Sequence, residues 1–316
     1  MKFVDFKKSL IELIEPVYIF YGEDRYLIDT CIKNLTTACE ISLPELNLSI
    51  FDANADINEV LTACETLPFL DKMRLILLKD IELNEDKRKK LIEYAKNPNK
   101  SVCLAISIKG ETKEMENITL VDCEKLDANM IRKKVLSDLK PKGFLISDEA
   151  LKVLISYCDY NLTQIYSELE KLMAYATEHK VITEDMIKTL SVKDVSYNIF
   201  ELTESLGNKD TEHAINTLNY LLKDEDPIAI IGLLYGYFRR LLIVAMTPAE
   251  VDNANIANSL QIKPYAITLA RKQCKLFGAK KLYDLCDKLQ KIDLKAKTNF
   301  CNVENELYSF VFSALN

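Results

Sequence analysis

Glycine and proline are scarce in this chain: seven Gly and eight Pro in 316 residues. Seven glycines include no GxGxxG, so a dinucleotide-binding fingerprint is excluded. Few helix breakers among many Leu, Ile and Lys favour long helices. Histidine is limited to His179 and His213, and no CxxC occurs among the nine cysteines. A Cys/His zinc centre is therefore not expected, and no metal or cofactor is. Both His lie in polar segments (TEHK and TEHA) and read as surface residues, not general bases. Trp is absent, which excludes nothing. No apolar run reaches the roughly 18–20 residues of a membrane span, so no membrane partner is expected. The opening MKFVDFKKSLIELIE carries acids inside its apolar pattern and reads as a helix, not a signal peptide. No internal repeat or low-complexity tract is evident.

Net positive charge is also missing. The chain carries −7, which makes it a poor binder of nucleic acid on its own, because such affinity rests on Lys and Arg meeting phosphates. The charge is uneven, however. Residues 261–298 hold ten Lys/Arg against three Asp, a local +7. That stretch reads either as a solvated helix face or as a phosphate-facing one.

Apolar residues make up 48% and charged residues 28%, enough for more than one core. The length suits two or three domains of about 100–200 residues. Whole-chain disorder and a disulfide-stapled mini-protein are both excluded. Cys31, Cys103, Cys158 and Cys286 sit inside apolar stretches, the pattern of reduced, buried thiols in a cytoplasmic protein.

The first 125 residues alternate strand and helix signals. Val17–Tyr21, Leu48–Phe51, Met73–Leu78, Val102–Ser107 and Ile118–Val121 are short apolar runs that predict five strands. Asp24 and Asp56 are placed to cap helices over Tyr26–Cys39 and through Cys64, and another helix is expected over Asp86–Ala95. Strands separated by helices indicate βαβ units and a parallel sheet. Continuous apolar runs suit strands covered on both faces. Past Asp127 the strand signals vanish and helix follows helix. Leu162, Ile165, Leu169, Leu172 and Ala176 make one face of an amphipathic helix. Ser147 and Thr183 open helices, and Pro227 fits the first position of a long apolar helix through Met246. KPKG at 140–143 and GNKD at 207–210 suggest boundaries. Gly232 and Gly236 form GxxxG inside the apolar helix, which predicts close packing against a neighbour.

An α/β domain invites a search for a nucleotide site at the turn after the first strand. That turn reads Gly22-Glu23-Asp24-Arg25-Tyr26 and lacks the GK[ST] of a P-loop. A helix N-terminus attracts phosphate, but Glu23 and Asp24 place negative charge there. The third strand ends Leu78-Lys79-Asp80, without a paired acidic motif, and no GxSxG is present. The residues alone favour a binding or scaffold protein over an enzyme.

Several segments resemble the delta subunits of bacterial DNA polymerase III clamp loaders. They are VYIFYGEDRYLIDT at 17–30, ETLPFLDKMRLILLKD at 65–80 and LTQIYSELEKLMAYA at 162–176 with ITEDMI at 182–187. SYNIFELTESLGNKDTEHAINTLNYLL at 196–222, FRRLL at 238–242 and DLKAKT at 293–298 follow in the same order. The resemblance implies an α/β plus all-α protein: an AAA+-type parallel-sheet domain without ATP binding at 1–140, a three-helix lid at 141–208, and a helical collar at 209–316. It implies a subunit without catalysis of its own, within a polymerase holoenzyme. Its implied partners are the sliding clamp (the beta subunit), the delta-prime and gamma/tau subunits of a pentamer, and primed DNA reached through that assembly. By position, the clamp-binding element falls on Leu67, Pro68, Phe69 and Leu70, and a degenerate nucleotide site on Gly22, Glu23 and Asp24. Lys288, Lys291, Lys295 and Lys297 are candidate DNA-facing residues.

Read from the residues alone, Leu67 and Phe69 equally suit a core position closing the preceding helix onto the sheet. Two other functions stay open at this stage, a nucleotide-dependent AAA+ ATPase and a stand-alone DNA-binding helical protein.

Overall fold

The structure, a computed structural model, describes residues 1–316 except 109, 111, 249, 261, 263, 299, 300 and 316, with only the backbone of 264 and 265. The basic stretch expected over 261–298 thus has Gln261 and Lys263 outside the described residues. The chain divides into two units, Met1–Leu145 with Leu162–Glu170, and Ile146–Asn161 with Lys171–Asn316.

In the first unit the elements run α1 (Phe3–Glu12), β1 (Val17–Tyr21), α2 (Arg25–Ala38), α3 (Pro44–Asn47), β2 (Leu48–Phe51) and α4 (Ile57–Cys64). β3 (Arg74–Ile81), α5 (Glu85–Lys96), β4 (Val102–Ile108), β5 (Thr119–Asp122) and α6 (Ala128–Leu139) follow, and Leu162–Glu170 adds a further helical segment. The five strands form one parallel sheet in the order β2-β3-β4-β1-β5. Val17 faces Leu104, Tyr18 faces Thr119, Leu48 faces Leu75 and Arg74 faces Val102.

Alternation along β1 shows how both faces are covered. Val17 and Ile19 join Val60 of α4 and Leu91 of α5 in one core cluster. Tyr18 and Phe20, between them in sequence, meet Phe6 of α1 edge-on at 5.4 and 5.3 Å between ring centroids. All three rings are fully buried. Burying a Phe side chain is worth about 1.5–3 kcal/mol, so α1 is held largely by one residue. The expected caps are present. Asp24 accepts from the Leu27 N–H at 3.3 Å, and Asp56 from the Asn58 N–H at 2.9 Å.

The second unit is helical. After the short strand β6 (Leu145–Ile146) come α7 (Asp148–Tyr157), α8 (Leu162–Tyr175), of which only the end from Lys171 belongs to this unit, β7 (Val181–Ile182) and α9 (Glu184–Leu190). Then follow α10 (Val195–Asn208), α11 (Thr211–Asp224), α12 (Pro227–Met246), α13 (Asn253–Leu260), α14 (Pro264–Phe277), α15 (Ala279–Thr298) and α16 (Val303–Leu315). β6 and β7 correct the expectation of an all-helical remainder; two residues each are too few to show as a sequence pattern. Buried residues of α10 (Ile199, Leu202, Leu206) share one core with α11 through α16, centred on Phe238 against Phe277 and Phe310. The fold is therefore α/β plus all-α, as expected.

α12 brings two corrections. The expectation that nothing reaches membrane-span length counted an apolar run that stops at Arg239. As a helix, α12 is long and apolar enough to cross a membrane by length and composition alone. Its buried stripe (Ile230, Ile231, Leu234, Phe238, Leu241 and Val244) packs into the helical core. The second correction concerns Gly232 and Gly236. A Cβ added at either would meet nothing within 4 Å. Instead of a packed neighbour they border an open groove of about 380 Å³ together with Tyr197, Phe200, Leu233 and Tyr237. The GxxxG spacing puts both glycines on one helix face, but says nothing about whether another helix lies there.

Candidate functional site

The loop from Glu65 to Met73 joins α4 to β3. Leu67 is 68% exposed, Phe69 57% and Leu70 83%. Pro68 between them is half-buried. The structure thus removes the reading in which Leu67 and Phe69 close the core. Single exposed apolar residues are ordinary, but a contiguous set marks an interaction surface. Leu46 and Ile50, on α3 and the edge strand β2, are also exposed.

The loop is exposed yet tightly built. Asn47, the last residue of α3, is fully buried. Its Nδ2 donates to the Phe69 carbonyl at 2.8 Å and to Asp71 Oδ2 at 2.7 Å. The Phe69 N–H donates back to Asn47 Oδ1 at 2.7 Å. One side-chain amide therefore satisfies both backbone polar groups of Phe69, as a neighbouring strand would. Asp71 Oδ2 also accepts from the N–H groups of Ser42 and Leu43, at 3.0 and 3.2 Å. Burial would raise the Asp71 carboxyl, but bonds from Leu43, the Asn47 amide and Ser42 hold it below the ordinary carboxylate range. Arg74 adds a second tie between the same segments, donating to the Leu46 carbonyl and to Ser49 Oγ, both at 2.9 Å. Leu70 has a left-handed φ of +62°. That conformation costs an L-residue about 1–2 kcal/mol and persists where the surroundings enforce it.

At the turn after β1, Gly22 and Glu23 line a cleft of about 550 Å³ together with Arg25, Asp80 and Lys125, while Asp24 is not part of its lining. Gly22 has φ +126°, and a Cβ there would lie 2.5 Å from the Cys123 backbone carbon. The glycine is needed for close backbone approach, independent of any phosphate. Asp24 occupies the N-terminus of α2 with its capping carboxylate. Lys125 pairs with Glu23 at 2.8 Å, and Arg25 pairs with Asp80 and, at 3.3 Å, with Asp29. The cations around this cleft already face carboxylates of the chain itself.

The four lysines singled out on α15 behave differently from one another. Lys291 pairs with Asp287 at 2.6 Å, Lys297 with Asp293 at 2.7 Å and Lys295 with Glu306 at 3.1 Å. Lys288 is exposed and makes no ion pair among the described residues. Burial, and then the charges of Lys209 and Lys288, push the neighbouring Lys281 ammonium down. Lys209, Lys281 and Lys288 therefore lie near enough to act on one another, a narrower basic group than the sequence suggests. His179 is exposed, and His213, also exposed, has its Nε2 3.6 Å from a Glu201 carboxylate oxygen.

Residues 18–134 match the family described as DNA polymerase III, delta subunit, and residues 196–314 match the C-terminal domain of the DNA polymerase III delta subunit. A Bacillus subtilis protein named DNA polymerase III subunit delta is 27% identical over 315 residues, covering 90% of this chain and 88% of its own. An Aquifex aeolicus protein, named as the probable subunit delta, is 26% identical over 95% of this chain and 91% of its own. The solved structure of the Bacillus subtilis DNA clamp loader delta protein aligns over 99% of both chains with a TM-score of 0.76 at 24% identity, which shows a shared fold.

Proposed function

The chain belongs to the DNA polymerase III delta-subunit family, and from that premise we propose that it is the clamp-loader subunit that grips and opens the sliding clamp. The observation that carries this reading is the exposed turn Leu67-Pro68-Phe69-Leu70, apolar side chains on a backbone fixed by buried hydrogen bonds. Such a turn suits a preformed apolar pocket. Burying a large apolar side chain contributes about 1.5–3 kcal/mol, and a few aromatic anchors of this kind dominate protein interfaces. A rigid anchor also transmits force. A clamp surface held on it can be displaced by movement of the whole sheet domain, whereas a floppy loop would yield first.

In this reading the chain does no chemistry. The carboxylates of Glu23 and Asp80 lining the β1 cleft, with that of Asp24 capping α2, disfavour a triphosphate, so timing comes from the ATPase subunits of the pentamer. Residues 1–140 act as the clamp-gripping AAA+-like domain, 141–208 as the lid, its last helix α10 packed into the collar core, and 209–316 as the collar that joins the other subunits. Primed DNA is met through the assembly, with Lys288 the best placed of the α15 lysines to face phosphate. The protein works in the cytoplasm, in keeping with nine free cysteines.

The test is a pull-down and calorimetric titration of the purified chain with the sliding clamp of the same cell. Saturable binding that competes with the assembled loader is expected. An inert mixture at high micromolar concentration would remove the reading.

A further inference from the structure

We propose that Asn47 is a positioning residue for the clamp contact: with Asp71 as its anchor, it holds Phe69 and Leu70 in their presenting conformation before the partner arrives. The proposal rests on the clamp reading above and concerns how that site is built.

Three observations carry it. First, Asn47 spends its amide on a residue 22 positions away. The Phe69 N–H requires an acceptor, while the Phe69 carbonyl and the Asp71 carboxylate require a donor, so the orientation of the amide is fixed by its partners. Only a carboxamide offers this pairing, and glutamine would set it one methylene further from the backbone. Asp would set an oxygen against two oxygens, and Leu or Ala would leave the Phe69 backbone groups without partners. Second, the network is buried at its root and exposed at its tip. Asn47 is 0% exposed, while Phe69 is 57% and Leu70 83% exposed. A network serving only the core would have no reason to end on two solvent-facing apolar side chains. Third, Leu70 stands at φ +62°, where a leucine stays only if its neighbours impose the geometry. Leu43 and Ser42 complete the anchor through Asp71.

The consequence is preorganisation. A loop that is already ordered does not lose backbone freedom when it binds. Fixing one residue's backbone corresponds to roughly 5- to 30-fold in affinity. Asn47→Ala should therefore weaken clamp binding by about that factor, although Asn47 itself is out of the partner's reach.

The experiment measures the dissociation constant for the purified sliding clamp, beside thermal unfolding, for the full chain and four variants. They are Asn47→Ala, Asp71→Asn, Phe69→Ala and Leu35→Ala. Leu35, buried in α2, is a control that lowers stability without touching the loop. Expected is a 5- to 30-fold loss for Asn47→Ala, a smaller loss for Asp71→Asn, and less than a twofold change for Leu35→Ala at comparable loss of melting temperature. Wild-type affinity in Asn47→Ala while Phe69→Ala has lost binding overturns the positioning role alone. Losses that follow the melting temperature across all variants, the control included, also overturn it. Unchanged binding in Phe69→Ala overturns the clamp reading, and the positioning role falls with it. If Asn47→Ala does not fold, Asp71→Asn decides by the same criteria, together with amide exchange of the Phe69 N–H, which should quicken as the anchor is lost.

Discussion

Replacing Gly22 with alanine separates a structural glycine from a phosphate-binding one. In a phosphate turn, glycine serves the ligand, and a small side chain would cost binding more than stability. Here the added methyl would stand 2.5 Å from the Cys123 carbon and 2.6 Å from its oxygen, well inside contact distance, and both are backbone atoms that cannot swing aside. The φ of +126° adds a second penalty, because L-residues avoid that region. Strain of this kind costs about 1–3 kcal/mol, and overpacking a fixed site another 1–3. The sum is about 2–6 kcal/mol, borne by the junction of β1, α2 and β5. For a unit of roughly 150 residues each kcal/mol lowers the melting temperature by about 2–4 °C. A fall of at least about 4 °C is therefore expected in the unfolding of the first unit, followed by circular dichroism. A fall under 2 °C would show that the turn can relax and that the close approach to Cys123 is not what fixes the residue.

Asp71 makes stability pH-dependent in a defined direction. Its folded carboxyl is held below the unfolded value, so its contribution is complete above about pH 4 and is lost as pH falls through the folded value. Wild type should therefore lose melting temperature more steeply than Asp71→Asn on acidification below about pH 4; parallel curves would exclude the role of these hydrogen bonds. Gly232→Ala and Gly236→Ala meet open space on α12 and should each stabilise by about 0.5–1 kcal/mol through helix propensity, read from denaturant midpoints. A loss of stability would mean that the face is packed. Lys288→Gln should lower the log–log salt slope of DNA binding by the assembled loader by about one unit, and Lys291→Gln by less, because Asp287 already pairs with it. Equal slopes for wild type and Lys288→Gln would leave α15 a solvated face.

The sheet was legible because each strand is a short apolar run bounded by polar turns. VYIFY and LSIF coincide with β1 and β2 to the residue. Caps were legible for the same local reason: Asp24, Asp56, Ser147 and Thr183 each accept a backbone N–H of the first helical turn. What depended on distant partners was not. The need for glycine at position 22 is set by Cys123, a hundred positions on. GxxxG predicts a shared face, not an occupant, so the open groove beside α12 was invisible. Asn47 was missed altogether. Its one signal is a lone amide between Leu46 and Leu48 in LPELNLSIF, and nothing local says that its partner is Phe69. The exposed turn itself was placed by resemblance. Composition alone could not separate an apolar loop from a core closure, and only the exposure of Leu67 and Phe69 does so.

One titration decides whether Phe69 anchors the sliding clamp: clamp binding by Phe69→Ala against wild type, with both proteins shown to melt alike. Because Phe69 is 57% exposed, truncating it should leave the melting temperature nearly unchanged. The loss of a central aromatic anchor should cost at least about 2 kcal/mol of binding, or roughly 30-fold in the dissociation constant. An intact melt with that loss is expected. Wild-type affinity in a properly folded Phe69→Ala protein would contradict it.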